Sequence, residues 1–330
     1  MSRRAASVLI AATLFAGTLV GCSTDREPAG WADPPAPQLT ASTPPAASPS
    51  PAIAAGSAPE GAFAVGVRQL KLNRDDNRPL PVTIWYPASG RTGGEPVDSA
   101  EGADGEFPVV MFSHGLGGRP TDYAALLTRW ASAGFVVAAP RFPNTSGRGD
   151  DNNVLDVLNQ PADVSYALTR VLALDGRDGD PLRGRLAADR VAAAGHSAGA
   201  VTTIGLFTAG RDERLAAGIV FAGTALGVGT AFAGASAPQL FVHGEADEVV
   251  QYSAGKAVYD KVPWPKAMLS LPDGDHGRAL LRDDEGTSLR VVADTTIEFL
   301  RWTLYGDAAA KERIPTVSAR GGIATLDNHL

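Results

Sequence analysis

The sequence predicts an α/β domain with a mainly parallel sheet of about eight strands and helices on both faces. Three observations predict it. Continuous apolar runs such as Phe107-Pro108-Val109-Val110-Met111-Phe112 fit strands covered on both sides. Such runs alternate with stretches of helical spacing. Residues 190–203, RVAAAGHSAGAVTT, carry G-x-S-x-G where an apolar run meets small and β-branched residues, a strand-to-helix turn.

Taken in order, residues 1–21 have the layout of a secretory signal. Arg3 and Arg4 form a basic start, and the uncharged run over 8–20 falls short of the roughly 20 residues that span a bilayer. The run ends in Leu19-Val20-Gly21-Cys22, followed by Ser23. This resembles a bacterial lipobox, which implies Cys22 as the lipid-bearing first residue of an extracytoplasmic protein anchored to the cell membrane. Cys22 is the only cysteine, so no internal disulfide can form. Residues 22–60 are dominated by Pro, Ala, Ser and Thr, cannot offset their ordering entropy by burial, and read as a stiff disordered tether. Residues 61–306 suffice for one domain with a full core. With 29 basic against 36 acidic residues and no basic block after the tether, nucleic-acid binding has no electrostatic footprint.

Within the domain, residues 63–72 and 80–86 read as strands around the turn Asn73-Arg74-Asp75-Asp76-Asn77. Residues 87–106 are Gly-rich and read as an exposed loop, and the run at 107–112 is the next strand. Thr121 is the expected N-cap of a helix to about 133, with Leu126, Leu127 and Trp130 on one face. Residues 135–139 are a buried strand, and 160–174 are helical by the spacing of Val164, Leu168, Val171 and Leu172. The strand and helix of the G-x-S-x-G turn follow. Strands are expected at 218–222, 239–242 and 266–271, and a final amphipathic helix at 288–304. The polar segment 307–330 reads as a loosely packed tail.

The pentapeptide alone is a weak signal in a chain with 37 glycines. Its context strengthens it, because the turn would lift the Ser197 hydroxyl above the sheet at a helix N-terminus that favours a developing oxyanion. A serine nucleophile needs a base. Of five histidines, His196 lies inside the turn and points away from its neighbour, His114 and His243 each precede a glycine at a strand end, and His329 is in the tail. His276 remains, in the loop between the last expected strand and the final helix. The base needs a carboxylate to fix its tautomer. Asp247, in Leu240-Phe241-Val242-His243-Gly244-Glu245-Ala246-Asp247, fits best, with Glu245, Asp273 and Asp275 as alternatives. Ala198 N–H, next to the nucleophile, is one expected oxyanion donor.

Pro81-Val82-Thr83-Ile84-Trp85-Tyr86-Pro87, the HGLGG loop at 114–118, GHSAG at 195–199 and HGEAD at 243–247 together resemble a serine esterase of the α/β-hydrolase superfamily. They are similar to its branch of platelet-activating-factor acetylhydrolases, chlorophyllases and cutinase-like polyester hydrolases. The resemblance covers roughly residues 61–305. It implies the order nucleophile Ser197, acid Asp247, base His276, and the second oxyanion donor at Leu116 N–H. Some relatives carry the acid one strand earlier, where this chain reads Phe221-Ala222-Gly223-Thr224-Ala225 without a carboxylate. Dienelactone hydrolases share the layout but use cysteine.

The function expected is a lipid-anchored, monomeric serine hydrolase that cleaves carboxylic esters through an acyl-enzyme. Its partners would be a small-molecule or polymeric ester and the membrane. Residues 223–237, between two strands, are too few for a separate helical lid, so short-acyl or exposed esters suit the cleft best. An amide, thioester or phospholipid-acetyl bond would suit the same triad, and a non-catalytic ligand-binding lipoprotein is the alternative from another class. No cofactor or metal is expected: H-E-x-x-H and a cysteine pair are lacking, and Gly115-Leu116-Gly117 has no third glycine at dinucleotide spacing.

Overall fold

The computed structural model describes residues 56–147, 152–277 and 286–330. The expected signal segment, Cys22 and most of the tether lie outside them. The chain enters the sheet as β1 (Ala64–Leu70), makes a short hairpin of β2 (Asn73–Arg74) and β3 (Arg78–Pro79), and returns antiparallel to β1 as β4 (Val82–Ala88). β5 (Val97–Asp98) adds an outer edge beside β1. Alternation then begins with β6 (Phe107–Ser113), α1 (Ala124–Ser132), β7 (Val136–Pro140) and α2 (Gln160–Leu172). It continues through β8 (Leu186–His196), α3 (Ala198–Gly205), β9 (Leu215–Phe221), β10 (Gln239–Gly244), α4 (Tyr252–Lys261) and β11 (Lys266–Leu271). The long helix α5 (Thr287–Tyr305), α6 (Ala308–Ser318) and β12 (Thr325–His329) complete it.

The main sheet has ten strands in the order β12-β11-β10-β9-β8-β6-β7-β4-β1-β5. The run from β11 to β7 is parallel throughout, and β12 and β4 flank it antiparallel. The eight strands expected are β1, β4 and β6 to β11. The count rises to ten through β5 and β12, whose short polar sequences carry no apolar run to announce them.

Alternation of side chains along each strand feeds two cores. Val110 and Phe112 of β6 and Ala192 and Ala194 of β8 pack with Trp130 of α1 and Val292 and Phe299 of α5. Val109, Met111, Val191 and Ala193 face the other way, onto Val164, Leu168 and Val171 of α2. Full burial of each large apolar side chain contributes about 1.5–3 kcal/mol. A third cluster joins α3 and α4 to Val220, Phe241 and Met268.

Two expectations are corrected. Thr121 does not cap α1. Pro120 starts a 3-10 turn over Pro120–Tyr123, its open end taken by Asp122, whose carboxylate accepts the Arg119 N–H at 2.9 Å, so α1 begins after Tyr123. The segment after Gly306 is not loosely packed. Ala310, Ile314 and Val317 form a buried stripe on α6, Arg313 reaches Glu298 of α5 at 2.8 Å, and β12 pairs with β11 from Lys266↔His329 to Ser270↔Thr325. Backbone pairing holds β12, so its polar side chains concealed it.

Between β9 and β10 the chain has no helix or strand, so no cap rises over the sheet. No described helix is long and apolar enough to cross a membrane.

Candidate active site

All strands of the parallel run end on the same edge of the sheet. The loops after β6, β7, β8, β9, β10 and β11 therefore converge there, as ligand-binding loops of open α/β sheets do. Ser197 sits where β8 turns directly into α3, with φ 56° and ψ −119°, a conformation an L-residue holds only under constraint. The constraint is visible. Ser197 N–H donates to Phe221 O of β9 at 3.0 Å. A Cβ on Gly195 would fall well inside contact with the Gly199 carbonyl, and one on Gly199 inside contact with Ser113 O. The two flanking glycines are needed because three backbone segments meet there. Ser197 itself is half-buried, so its hydroxyl remains reachable.

His276 lies on the loop after β11. Its Nε2 is 2.8 Å from Ser197 Oγ, and its Nδ1 is 2.7 Å from Asp247 Oδ2. A carboxylate can only accept, so Nδ1 carries the proton and Nε2 is left to accept the Ser197 hydroxyl. Asp247 is fully buried at its carboxyl group. Oδ1 accepts the N–H groups of Val249 and Val250, both at 2.8 Å. Oδ2 also faces His243 Nε2 at 3.4 Å, which donates to Val250 O at 2.8 Å. Burial opposes ionisation of Asp247, but hydrogen bonds from His243, His276 and Val250 outweigh it and hold the carboxyl far below its usual range. Of the alternative acids, Glu245 and Asp273 are exposed, and Asp275 turns Oδ1 to Gly277 N–H at 3.1 Å.

The loop after β6 supplies the other side. Gly115 N–H donates to Tyr123 Oη at 2.9 Å, Gly117 N–H to Thr145 O at 2.8 Å, and Gly118 N–H to Gly115 O at 2.9 Å. Leu116 N–H and Ala198 N–H meet no acceptor among the described residues, which suits donors awaiting a charge. A Cβ on Gly115 would lie 3.2 Å from Ser197 Cβ, so this loop passes right beside Ser197.

Of the four histidines that the sequence set aside, His196, His114 and His243 prove to be struts. His243 backs Asp247. His196 reaches Tyr123 and the His276 loop rather than Ser197 Oγ. His114 donates from Nδ1 to Gly115 O at 2.8 Å and accepts Phe142 N–H at 3.1 Å on Nε2, tying the β6 loop to the end of β7. Burial pushes its pKa down to about 4, only partly offset by the Gly115 carbonyl.

The sign of that shift yields a prediction. Unfolded His114 takes up a proton near pH 6.5 and the folded residue only near 4, so the contribution is complete above 6.5 and lost as pH falls to 4. The loss reaches about 3 kcal/mol. Urea unfolding at stepped pH should show stability falling between pH 6.5 and 5, with a shallower slope in H114N. An unchanged slope would locate the proton uptake elsewhere.

Residues 98–229 match the model of the chlorophyllase family, a group of α/β-hydrolases. Joined to a mainly parallel sheet and a serine on the turn after β8, the match decides the architecture. The chain has the α/β-hydrolase fold. No curated protein matches it in sequence. The matched span runs from β5 past β9, taking in the HGLGG loop and Ser197 and stopping before Asp247 and His276. It points to hydrolysis of esters.

Proposed function

We propose that this α/β-hydrolase is a serine esterase that works through an acyl-enzyme on Ser197. The observation that carries the reading is the continuous line Ser197 Oγ, His276, Asp247, at 2.8 and 2.7 Å. His276 Nε2 takes the Ser197 proton as Oγ attacks the ester carbonyl carbon. The carbonyl oxygen gains charge and is held by Leu116 and Ala198 N–H, each such donor contributing roughly 10²–10³ in turnover. His276 passes the proton to the departing alcohol. Water then adds to the acyl group with His276 as base, and the acid leaves. Asp247 keeps Nδ1 protonated and stabilises the imidazolium.

The rim of the cleft speaks to the substrate. Among the described residues, six of the seven exposed large apolar side chains are Leu116, Val154, Leu155, Leu158, Leu226 and Val249, all in connections at the C-terminal edge of the parallel run, three of them on the 3-10 helix Val154–Leu158. Residues 148–151 lie outside the described residues. A shallow opening with an apolar collar suits a short acyl group, or an ester displayed on a bulky apolar or polymeric partner. A series of p-nitrophenyl esters tests this: short acyl chains should turn over faster than long ones, with no jump at the solubility limit. A preference for long-chain emulsions with an interfacial jump would overturn it, and failure of every ester together with failure to label with a fluorophosphonate would overturn the esterase reading.

The lipobox-like Leu19-Val20-Gly21-Cys22 supports an extracytoplasmic, membrane-anchored enzyme lipidated on Cys22. Mass spectrometry of the mature N-terminus tests it, and an unmodified terminus beyond Cys22 would refute it.

A further inference from the structure

His196 occupies the position before the nucleophile, yet its ring bonds the His276 carbonyl and Tyr123 Oη. It stands between the two loops that the proposed chemistry must hold in register. Its Nε2 lies 2.6 Å from the backbone carbonyl of His276, and its Nδ1 lies 3.0 Å from Tyr123 Oη, which accepts the Gly115 N–H at 2.9 Å. A carbonyl can only accept, so Nε2 carries the proton and donates to the His276 loop. In the neutral ring Nδ1 then accepts from the Tyr123 hydroxyl. The result is a chain of hydrogen bonds from Gly115, the neighbour of Leu116, through Tyr123 and His196 to His276. The ring is gripped from both sides. A Cβ on Gly115 would come within 3.1 Å of His196 Nδ1, and one on Gly277 within 3.1 Å of Cε1 and Nε2, so each loop presents a glycine where it closes on the imidazole. Tyr123 and His196 are both buried, and the rings of His196 and His276 sit 4.9 Å apart.

We propose that His196 and Tyr123 are a positioning pair: they fix the height of His276 over Ser197 and, through the same relay, the place of the oxyanion loop. The proposal rests on the esterase reading of Ser197. Neither side chain belongs to the line Ser197 Oγ, His276, Asp247 itself. The effect is on alignment, where a displacement of about 1 Å can cost on the order of 10²-fold in rate.

The test uses the intact chain and counts active sites by fluorophosphonate titration, so that misfolded molecules drop out. Y123F removes one hydroxyl at nearly constant volume, and H196A removes the ring. Each should lower kcat per titrated site by about tenfold to a hundredfold with KM little changed. The double variant should fall no further than the worse single one, because one relay is cut in both. H196Q, which keeps a side-chain N–H for the His276 carbonyl, should recover part of the loss. The low-field proton resonance of the His276–Asp247 hydrogen bond should shift in Y123F, which a merely structural role would not move. Should H196A not fold, Y123F decides alone. Wild-type kcat per site in Y123F, or fully additive losses, would overturn the proposal. A fully active S197A would bring down the esterase reading and this one with it, whereas an inactive S197A beside unaffected Y123F and H196A removes only the positioning pair.

Discussion

S197A is expected to be folded and almost inert, with turnover lower on the order of 10⁶-fold and no fluorophosphonate label. The size follows from the role proposed for the hydroxyl. Without Oγ no acyl-enzyme can form, and His276 and the oxyanion donors have no nucleophile to serve. The fold should be indifferent, since the Ser197 hydroxyl bonds His276 Nε2 at the surface of the cleft while the turn is held by the Ser197 N–H to Phe221 and by the packing of Gly195 and Gly199. Stability should stay within about 0.5 kcal/mol of wild type. Ester kinetics, probe labelling and a melting curve check this together. Label retained on another serine would mean that the nucleophile lies elsewhere.

D247N should cost about 10⁴ in turnover, and the reason lies in which atoms are already engaged. Val249 and Val250 N–H groups both point at Oδ1, so the amide oxygen of asparagine takes that side. Its NH₂ then faces His276 Nδ1. A donor there favours the tautomer with the proton on Nε2, aimed at Ser197, and a protonated Nε2 cannot accept the serine proton. The same NH₂ meets His243 Nε2–H, so some stability should go as well. Parallel assays of D273N and D275N are the check. If either of those proved the sensitive position and D247N did not, the acid would be misassigned.

Much of this architecture is written in the order of the residues. Runs such as 107–112 and 135–139 read as strands because both faces of β6 and β7 are buried and every position must be apolar or small. The turn at 195–199 is legible because only glycine fits two of its positions. Ser197, Asp247 and His276 could be named because each sits just past a strand end in a fixed order. What stayed hidden depends on partners far away in the chain. α4 has no side-chain cap and starts from the extended Gln251, so no N-terminal signal marks it. β12 shows no periodicity because its sheet partner supplies only backbone. Two of the contacts that make struts of His114 and His196 run to Phe142 N and His276 O, 28 and 80 residues away, and no local pattern in a sequence reveals a contact with a distant peptide group.

The dihedrals of Ser197 bear on how such a protein changes over generations. A side chain at φ 56° and ψ −119° costs on the order of 1–3 kcal/mol, and glycine at the same place would avoid most of that. Selection for folding alone therefore pulls this codon toward glycine, and only selection for chemistry pulls it back. A descendant relieved of its reaction gains stability by a single substitution at the position that defined it, and the gain makes the way back uphill. If Ser197 is the nucleophile proposed, loss of activity is thus a ratchet, with its pawl at residue 197.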